Sequence, residues 1–306
     1  MAPHTVRPVL KWAGGKRQLL PQLRTFYPAS FSRYYEPFVG SGAVFLDLYN
    51  MNRLHAATVH LSDINADVIG CYRMIRDCVD DVIAALRALE DDYERRGEIS
   101  FYDVRDRQFN PARRDVHRAP DPSAAYTPPL AAMLVFLNRT GFNGLFRVNA
   151  RGEFNVPAGR HDHPRICDEP NLRRLSSAFT LPGVTLAVQR FDDAVADARE
   201  HDFVYLDPPY APLTETARFT SYSAGGFGPE QQQALQRTVV ALARRGVHVL
   251  LSNSCAPQIR ELYARNDEVR AAGLAARVVA ARRAINSRAT GRGPVGEYLI
   301  TNVARA

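Results

Sequence analysis

The chain has 306 residues, 46% of them hydrophobic, which argues for a globular protein and leaves room for one domain or for a domain with an insertion. Lys plus Arg exceed Asp plus Glu by 39 to 32, a formal charge of +7 that favours a polyanionic partner. Zinc-type pairing is excluded by the scattered Cys71, Cys78, Cys167 and Cys255; no apolar signal region opens the chain and no run nears the roughly 18 apolar residues of a membrane span, so a soluble, cytoplasmic protein with buried, reduced thiols is expected.

Near the start, "RYYEPFVGSGAVFLDLYN" reads as a strand from Arg33 to Phe38, a glycine turn at Gly40-Ser41-Gly42 and a helix from Ala43. "ATVHLSDIN" reads as a second strand ending at Asp63, about 20 residues after the glycines, the spacing at which a dinucleotide fold places an acid on ribose hydroxyls. Helical periodicity runs through "DVIGCYRMIRD" and "DDVIAALRALEDDYERR". From Asn110 to Pro129, "NPARRDVHRAPDPSAAYTPP" gathers prolines and arginines and predicts an exposed loop. The stretch from Leu130 to Arg160 begins as an apolar helix and continues as a hairpin-like segment with a turn at "NARGE".

Strand patterns resume at "VTLAV", "DFVYLDPPY", "VHVLLSNS", "RVVAARRAIN" and "EYLITN". Between them "PEQQQALQRTVVALARRG" is a helix with proline at its start and Gly246 at its end. The fold class is therefore α/β, a Rossmann-like sheet with an inserted, mainly helical domain that carries a β-hairpin. Residues 1–65 plus 170–306 would form the sheet domain and 66–169 the insertion.

The tetrapeptide Asp207-Pro208-Pro209-Tyr210 ends an apolar strand. Neither proline can donate to a ladder, and the first biases Asp207 away from helix, so the segment leaves the sheet extended. Ligands of open α/β sheets bind beyond the carboxyl ends of the strands, which makes this acid and this aromatic ring candidate site residues. "AGGKR" at 13–17 fails as a phosphate loop, because Leu10 and Arg17 stand where glycine and Ser or Thr are required. A ligand with adenosine and ribose but no phosphate, such as S-adenosylmethionine (SAM), suits the glycine turn and Asp63 better.

"KWAGGK", "EPFVGSG", "SDIN", "FLNRTGFNGLFRVN", "GEFNVP", "DPPY" and "FTSY…F…EQQ" follow one another in an order that closely resembles the Dam-type (D12 class) DNA adenine-N6 methyltransferases. The resemblance covers nearly the whole chain apart from the Pro/Arg stretch at 103–129. It implies a site-specific enzyme that moves a methyl group from S-adenosyl-L-methionine to adenine N6 in double-stranded DNA, typically at GATC, after flipping the base. Residues 1–65 plus 170–306 would then bind SAM, and 66–169 would recognise the target.

By position, the resemblance makes Asp207, Pro208, Pro209 and Tyr210 the catalytic segment. Trp12, Gly14, Gly15 and Lys16 would line the methionine end of SAM, Phe38, Gly40 and Gly42 would border it, Asp63 would take the ribose, and Phe191 and Asp192 the adenine. Phe142, Asn143 and Leu145 would enter the DNA and Arg147 would meet a guanine edge. Lys11 would read a base pair, Arg139 would face DNA, and Asn149 and Arg160 would contact phosphates. Arg105, Arg107, Arg113, Arg114 and Arg118 are further candidate phosphate partners, from charge alone.

Two residues depart from the family pattern: Phe142 stands for a usual tyrosine and His161 for a tyrosine after "VPxGR". Methyltransferases acting on RNA adenine or protein glutamine generally begin the catalytic tetrapeptide with Asn and lack "NRTGFNGLFR", and a regulator with a dead methylase fold would not need Asp207 and Tyr210. No metal and no obligate protein partner is implied. A monomer acting on nucleoid DNA is expected, either beside a restriction nuclease in a restriction-modification pair or alone.

Overall fold

In the computed structural model, which describes residues 5–12, 14–55, 57–161, 163–211, 227–282 and 294–305, seven strands form one sheet. They are β1 (Arg33–Glu36), β2 (Thr58–Asp63), β3 (Val184–Val188), β4 (Phe203–Leu206), β5 (His248–Ser254), β6 (Ala275–Arg282) and β7 (Pro294–Thr301). Their order is β3-β2-β1-β4-β5-β7-β6. β1 lies parallel to β2 and β4, β4 lies parallel to β5, and β7 is antiparallel to both of its neighbours. All four residues of β4 are buried, as expected of an interior parallel strand covered on both faces, and this explains the unbroken apolar run "FVYL". Strand order reverses between β1 and β4, so their carboxyl ends flank the crevice where such sheets bind ligands.

Two compact units make up the chain: Met1–Gly15, Gly40–Asn52 and Asp63–Val188 in the first, and Lys16–Val39, Arg53–Ser62 and Gln189–Ala306 in the second. The core of the second gathers Tyr35, Val204, Leu206, Val249, Leu251 and Ile300 from the sheet. Leu235, Val239 and Leu242 of the helix Pro229–Arg244 pack on them at helical spacing. Each such side chain contributes about 1.5–3 kcal/mol by leaving water. That helix opens on Pro229, where no backbone donor is needed, and Gly246 (φ 76°) closes the turn after it.

The first unit is helical. Pro128–Thr140 is buried continuously from Leu130 to Asn138 and packs against Ala66–Asp77 and Val79–Arg96, so its lack of a polar face reflects cover on every side. "SDIN" gains a local reason: Asn65 is the N-cap of Ala66–Asp77 and accepts from the Asp67 N–H at 3.0 Å.

The Pro/Arg stretch expected as an exposed loop from Asn110 to Pro129 is in part helical. Asn110–Val116 is an α-helix, Val104–Phe109 before it is a π-helix, and Pro128 and Pro129 open the helix to Thr140. Prolines in a first turn cost no hydrogen bond, and tertiary contacts hold the rest. The Asn110 amide exchanges hydrogen bonds with the Phe154 backbone, at 3.1 and 2.8 Å. Arg113 pairs with the fully buried Asp67 at 2.8 Å.

The segment expected as a hairpin carries two isolated antiparallel bridges, Gly141↔Ala158 and Val148↔Phe154, around a turn closed by Asn149 and Glu153. Strand character expected at 283–286 and the "FTSY" motif at 219–222 lie outside the described residues. Of the four thiols Cys71 alone is fully buried, and the other three are half-buried. Among the described residues no helix is long and apolar enough to cross a membrane, and no cluster of His, Cys, Asp and Glu is placed to hold a metal.

Candidate active site

The segment Asp207–Tyr210 leaves the carboxyl end of β4 and is tied down along its length. Leu206 is in register with Leu251 of β5, so Ser252 comes beside Asp207 and its Oγ donates to Oδ1 at 3.0 Å. Tyr205 and Ser252 hydroxyls lie 3.1 Å apart; with the serine proton given to Asp207, the buried tyrosine donates to the serine. Lys16 Nζ reaches the same Oδ1 at 2.7 Å and sits 4.5 Å from the Tyr210 ring centroid. Both contacts fall on Oδ1. Oδ2 has no protein donor among the described residues.

Burial pushes the Asp207 carboxyl above the ordinary carboxylate range, against the pull of Lys16 and Ser252. Tyr210 donates to Glu297 Oε2 at 2.8 Å, and burial together with the Asp207 and Glu297 charges keeps its phenol protonated. Gln232 Nε2 donates to the Pro209 carbonyl at 3.1 Å and is itself held by Asn253 Nδ2 at 3.0 Å, while Ser254 Oγ donates to the Ala211 carbonyl at 2.8 Å. The Pro208 carbonyl has no protein donor among the described residues. Two acceptors, Asp207 Oδ2 and the Pro208 carbonyl, are thereby left beside an engaged Asp207 Oδ1, Pro209 carbonyl and Tyr210 hydroxyl.

Ser252 and Asn253 are buried polar residues to which the sequence assigns no role, as is Gln232, which enters there only as the end of "EQQ"; Glu297 has no role assigned there either. A signal was present: "SNS" ends an otherwise apolar strand, where buried polar groups must each find a partner.

The glycine turn is built to admit a close approach. Gly40 (φ 44°) and Gly42 (φ 66°) adopt left-handed conformations, and a Cβ on Gly40 would fall 2.8 Å from Cδ1 of Trp12. The Gly40 N–H donates to Asp63 Oδ2 at 3.0 Å, its carbonyl accepts from Tyr72 at 2.6 Å, and Asp63 Oδ1 accepts from the Asn65 N–H at 2.9 Å. Burial raises the Asp63 carboxyl, partly offset by these backbone donors. Trp12, Gly40 and Asp63 are thus assembled together. Gly14 and Gly15 form a tight turn in which Gly15 N–H donates to the Trp12 carbonyl at 3.0 Å.

In the second unit Phe38 stacks on Phe191 with centroids 5.5 Å apart, and Phe227 meets Phe38 edge-on at 5.6 Å. Asp192 stands beside this aromatic cluster; burial is outweighed by the Arg190 pair and leaves its carboxyl below the usual range. In the first unit, an acid held by backbone donors beside a glycine turn without room for Cβ fits the ribose of SAM; in the second, the aromatic cluster by itself fits an adenine ring.

The residues expected to meet DNA fall into two groups. Lys11, Arg139 and Arg160 line a cavity of ≈ 360 Å³ with His161, Pro164 and Arg165, and burial and then Arg139 lower the Lys11 pKa. Phe142 is 49% exposed, Asn143 is exposed with φ 55°, and Leu145 is half-buried. Arg147 is exposed and its Nε donates to Asn155 Oδ1 at 2.8 Å, which aims the guanidinium. Asn149 shapes the turn, accepting from the Arg151 and Glu153 N–H groups.

The other arginines of the middle segment are already engaged: Arg105 with Asp106, Arg107 with Asp103, Arg113 with Asp67, Arg114 with Glu153 and Arg118 with Asp115. Charge counting had offered them to phosphates. Arg160 has no acid partner among the described residues.

Comparison with known proteins agrees with this arrangement. The family described as D12 class N6 adenine-specific DNA methyltransferase matches residues 12–276. A "Type II methyltransferase M1.LlaDCHI" of Lactococcus lactis subsp. cremoris is 34% identical over 301 residues, covering 97% of this chain and 95% of that protein. A "Type II methyltransferase M.MjaIII" of Methanocaldococcus jannaschii is 39% identical over 259 residues, 81% of this chain and 84% of that protein. A "DNA adenine methylase" of Escherichia coli K12 is 34% identical over 293 residues, 96% of this chain and 94% of that protein. The chain belongs to the D12 class of N6 adenine-specific DNA methyltransferases, and it is an adenine-specific DNA methyltransferase.

Proposed function

We propose that this chain transfers a methyl group from SAM to N6 of adenine in double-stranded GATC, after the base has been flipped from the duplex. The observation that carries the reading is the pair of acceptors, Asp207 Oδ2 and the Pro208 carbonyl, on an otherwise tied segment. An exocyclic adenine amine is a weak nucleophile because its lone pair is delocalised into the ring. Asp207 accepts one amine hydrogen and the Pro208 carbonyl the other, and both bonds strengthen as positive charge develops on nitrogen. Tyr210, held by Glu297, offers a face to stack on the extruded base. SAM when bound supplies the electrophilic methyl on a sulfonium.

Trp12, Gly14, Gly15, Lys16, Phe38, Gly40, Gly42, Asp63, Phe191 and Asp192 are the proposed cofactor residues. Phe142, Asn143 and Leu145 fill the gap left by the base, Arg147 reads guanine, and Lys11, Arg139, Asn149 and Arg160 face the duplex. Residues 66–169 form the target-recognition domain in this reading, and 1–65 plus 170–306 the catalytic one. The protein acts as a cytoplasmic monomer on nucleoid DNA. Relatives named as Type II methyltransferases and as DNA adenine methylases support modification of DNA, with or without a cognate nuclease.

The test is label transfer from methyl-labelled SAM to a GATC duplex, with the product base mapped. N6-methyladenine in GATC is expected. Label on another duplex sequence would overturn the site assignment, and the absence of label on any duplex would overturn the reaction.

A further inference from the structure

Residues 5–11 have no regular secondary structure, yet the backbone of Val6, Arg7 and Lys11 is paired, each with an asparagine side chain. A carboxamide presents one acceptor and two donors, so it can answer a peptide group as a neighbouring strand would. Asn50 accepts from Val6 N–H at 3.0 Å and donates to its carbonyl at 2.9 Å. Asn171 does the same for Arg7, both at 2.9 Å. Asn138 accepts from Lys11 N–H at 2.7 Å and donates to its carbonyl at 2.8 Å. The third has one further contact: its Nδ2 also donates to the Gly144 carbonyl at 2.9 Å.

Asn138 is 1% exposed, so losing any of these bonds would leave buried peptide groups unpaired. A second observation is independent of the amide. Gly144 (φ 63°) lies against Lys11 so closely that a Cβ there would come within 2.5 Å of Lys11 Cβ and Cδ. The turn Phe142–Leu145, closed by the Leu145 N–H to Phe142 carbonyl bond at 3.2 Å, therefore rests on the stem of Lys11.

We propose that Asn138 is a specificity-positioning residue: its single amide fixes the Lys11 backbone and the Phe142–Leu145 turn as one rigid reading unit. The proposal rests on the reading of Lys11 and that turn as DNA contacts. Recognition of a base edge tolerates errors of only about 0.5 Å, which two independently moving segments would exceed. No other side chain of this size supplies the pattern. Aspartate lacks both donors and leucine lacks all three groups.

The experiment measures kcat/KM on duplexes carrying GATC and each of its single-base variants for the wild type, Lys11→Ala, Asn138→Ala and Gly144→Ala, with SAM affinity by calorimetry and Tm for each. Asn138→Ala and Gly144→Ala are expected to lower the preference for GATC by about tenfold at the same base pair that Lys11→Ala affects, with SAM affinity unchanged. Gly144→Ala leaves the Asn138 side chain in place and presses on the Lys11 stem, so it carries the test if Asn138→Ala fails to fold. Wild-type preferences in both, alongside a changed preference in Lys11→Ala, would overturn the positioning role alone. An unchanged preference in Lys11→Ala would overturn the reading of Lys11 itself.

Discussion

The acceptor segment Asp207–Tyr210 and the turn Phe142–Arg147 are both short departures from regular structure, and they are built on contrasting plans. In the first, Lys16, Ser252, Gln232 and Glu297 restrain successive groups, and the two prolines remove backbone freedom. In the second, the backbone is anchored from behind by Asn138 while Phe142, Asn143 and Arg147 stand in solvent. A segment that stabilises developing charge must be organised before the substrate arrives, since reorganisation at the moment of reaction adds to the barrier. A segment that enters DNA needs exposed side chains on a fixed base.

The largest expected effect breaks the first plan. Asp207→Ala removes the proposed acceptor of an amine hydrogen and should lower kcat by about a thousandfold, as loss of an electrostatic group aimed at the transition state does. SAM affinity by calorimetry should be largely retained, because Asp207 is not itself a proposed cofactor residue and the variant takes from Lys16 only its ion-pair partner. Turnover near the wild-type rate would remove Asp207 from the mechanism.

Arg147→Ala tests the second plan. A guanidinium bidentate to guanine O6 and N7 contributes roughly 1–3 kcal/mol of discrimination. Preference for GATC over the variant lacking that guanine should therefore fall by about 5- to 150-fold, while SAM affinity stays unchanged. An equal loss across every single-base variant would indicate a phosphate contact instead.

How far each region could be read from sequence follows from the same contrast. Asp207-Pro208-Pro209-Tyr210 announced itself, because two prolines after a buried run have few structural meanings. The residues that restrain it did not, since Ser252 and Glu297 come from strands that only the sheet order β4-β5-β7 brings alongside and Gln232 from the helix packed on them. The glycine turn and Asp63 were legible because strand, turn and helix are contiguous in sequence. Asn110–Val116 was not, because its helix depends on contacts with Phe154 and Asp67 some 40 residues away in either direction, which no local propensity encodes.

Lys16→Met sharpens the account of the acceptor segment through pH. If Asp207 accepts the amine hydrogen as proposed, methyl transfer requires it ionised and activity falls as pH drops through its pKa. Burial already raises that pKa and Lys16 opposes the rise, so removing the ammonium should move it further upward. The acid limb of the kcat profile should shift to higher pH, lowering activity several-fold near neutrality and less at alkaline pH. An acid limb that stayed in place would mean that Lys16 does not act on Asp207 during turnover.

The smallest expected effect separates engaged from available cations. Arg118 is tied to Asp115, whereas Arg160 lines the cationic cavity with Lys11 and Arg139. If Arg160 neutralises a phosphate, Arg160→Ala should reduce the slope of log affinity against log salt by about 0.9, the value for one released counterion on B-DNA. Arg118→Ala should leave the slope unchanged, because an arginine already facing its own carboxylate gains little from a distant phosphate. Fluorescence anisotropy of a labelled GATC duplex across a salt series measures both slopes. Equal slopes for the two variants would mean that the pairing observed in the free protein does not decide which arginines meet DNA.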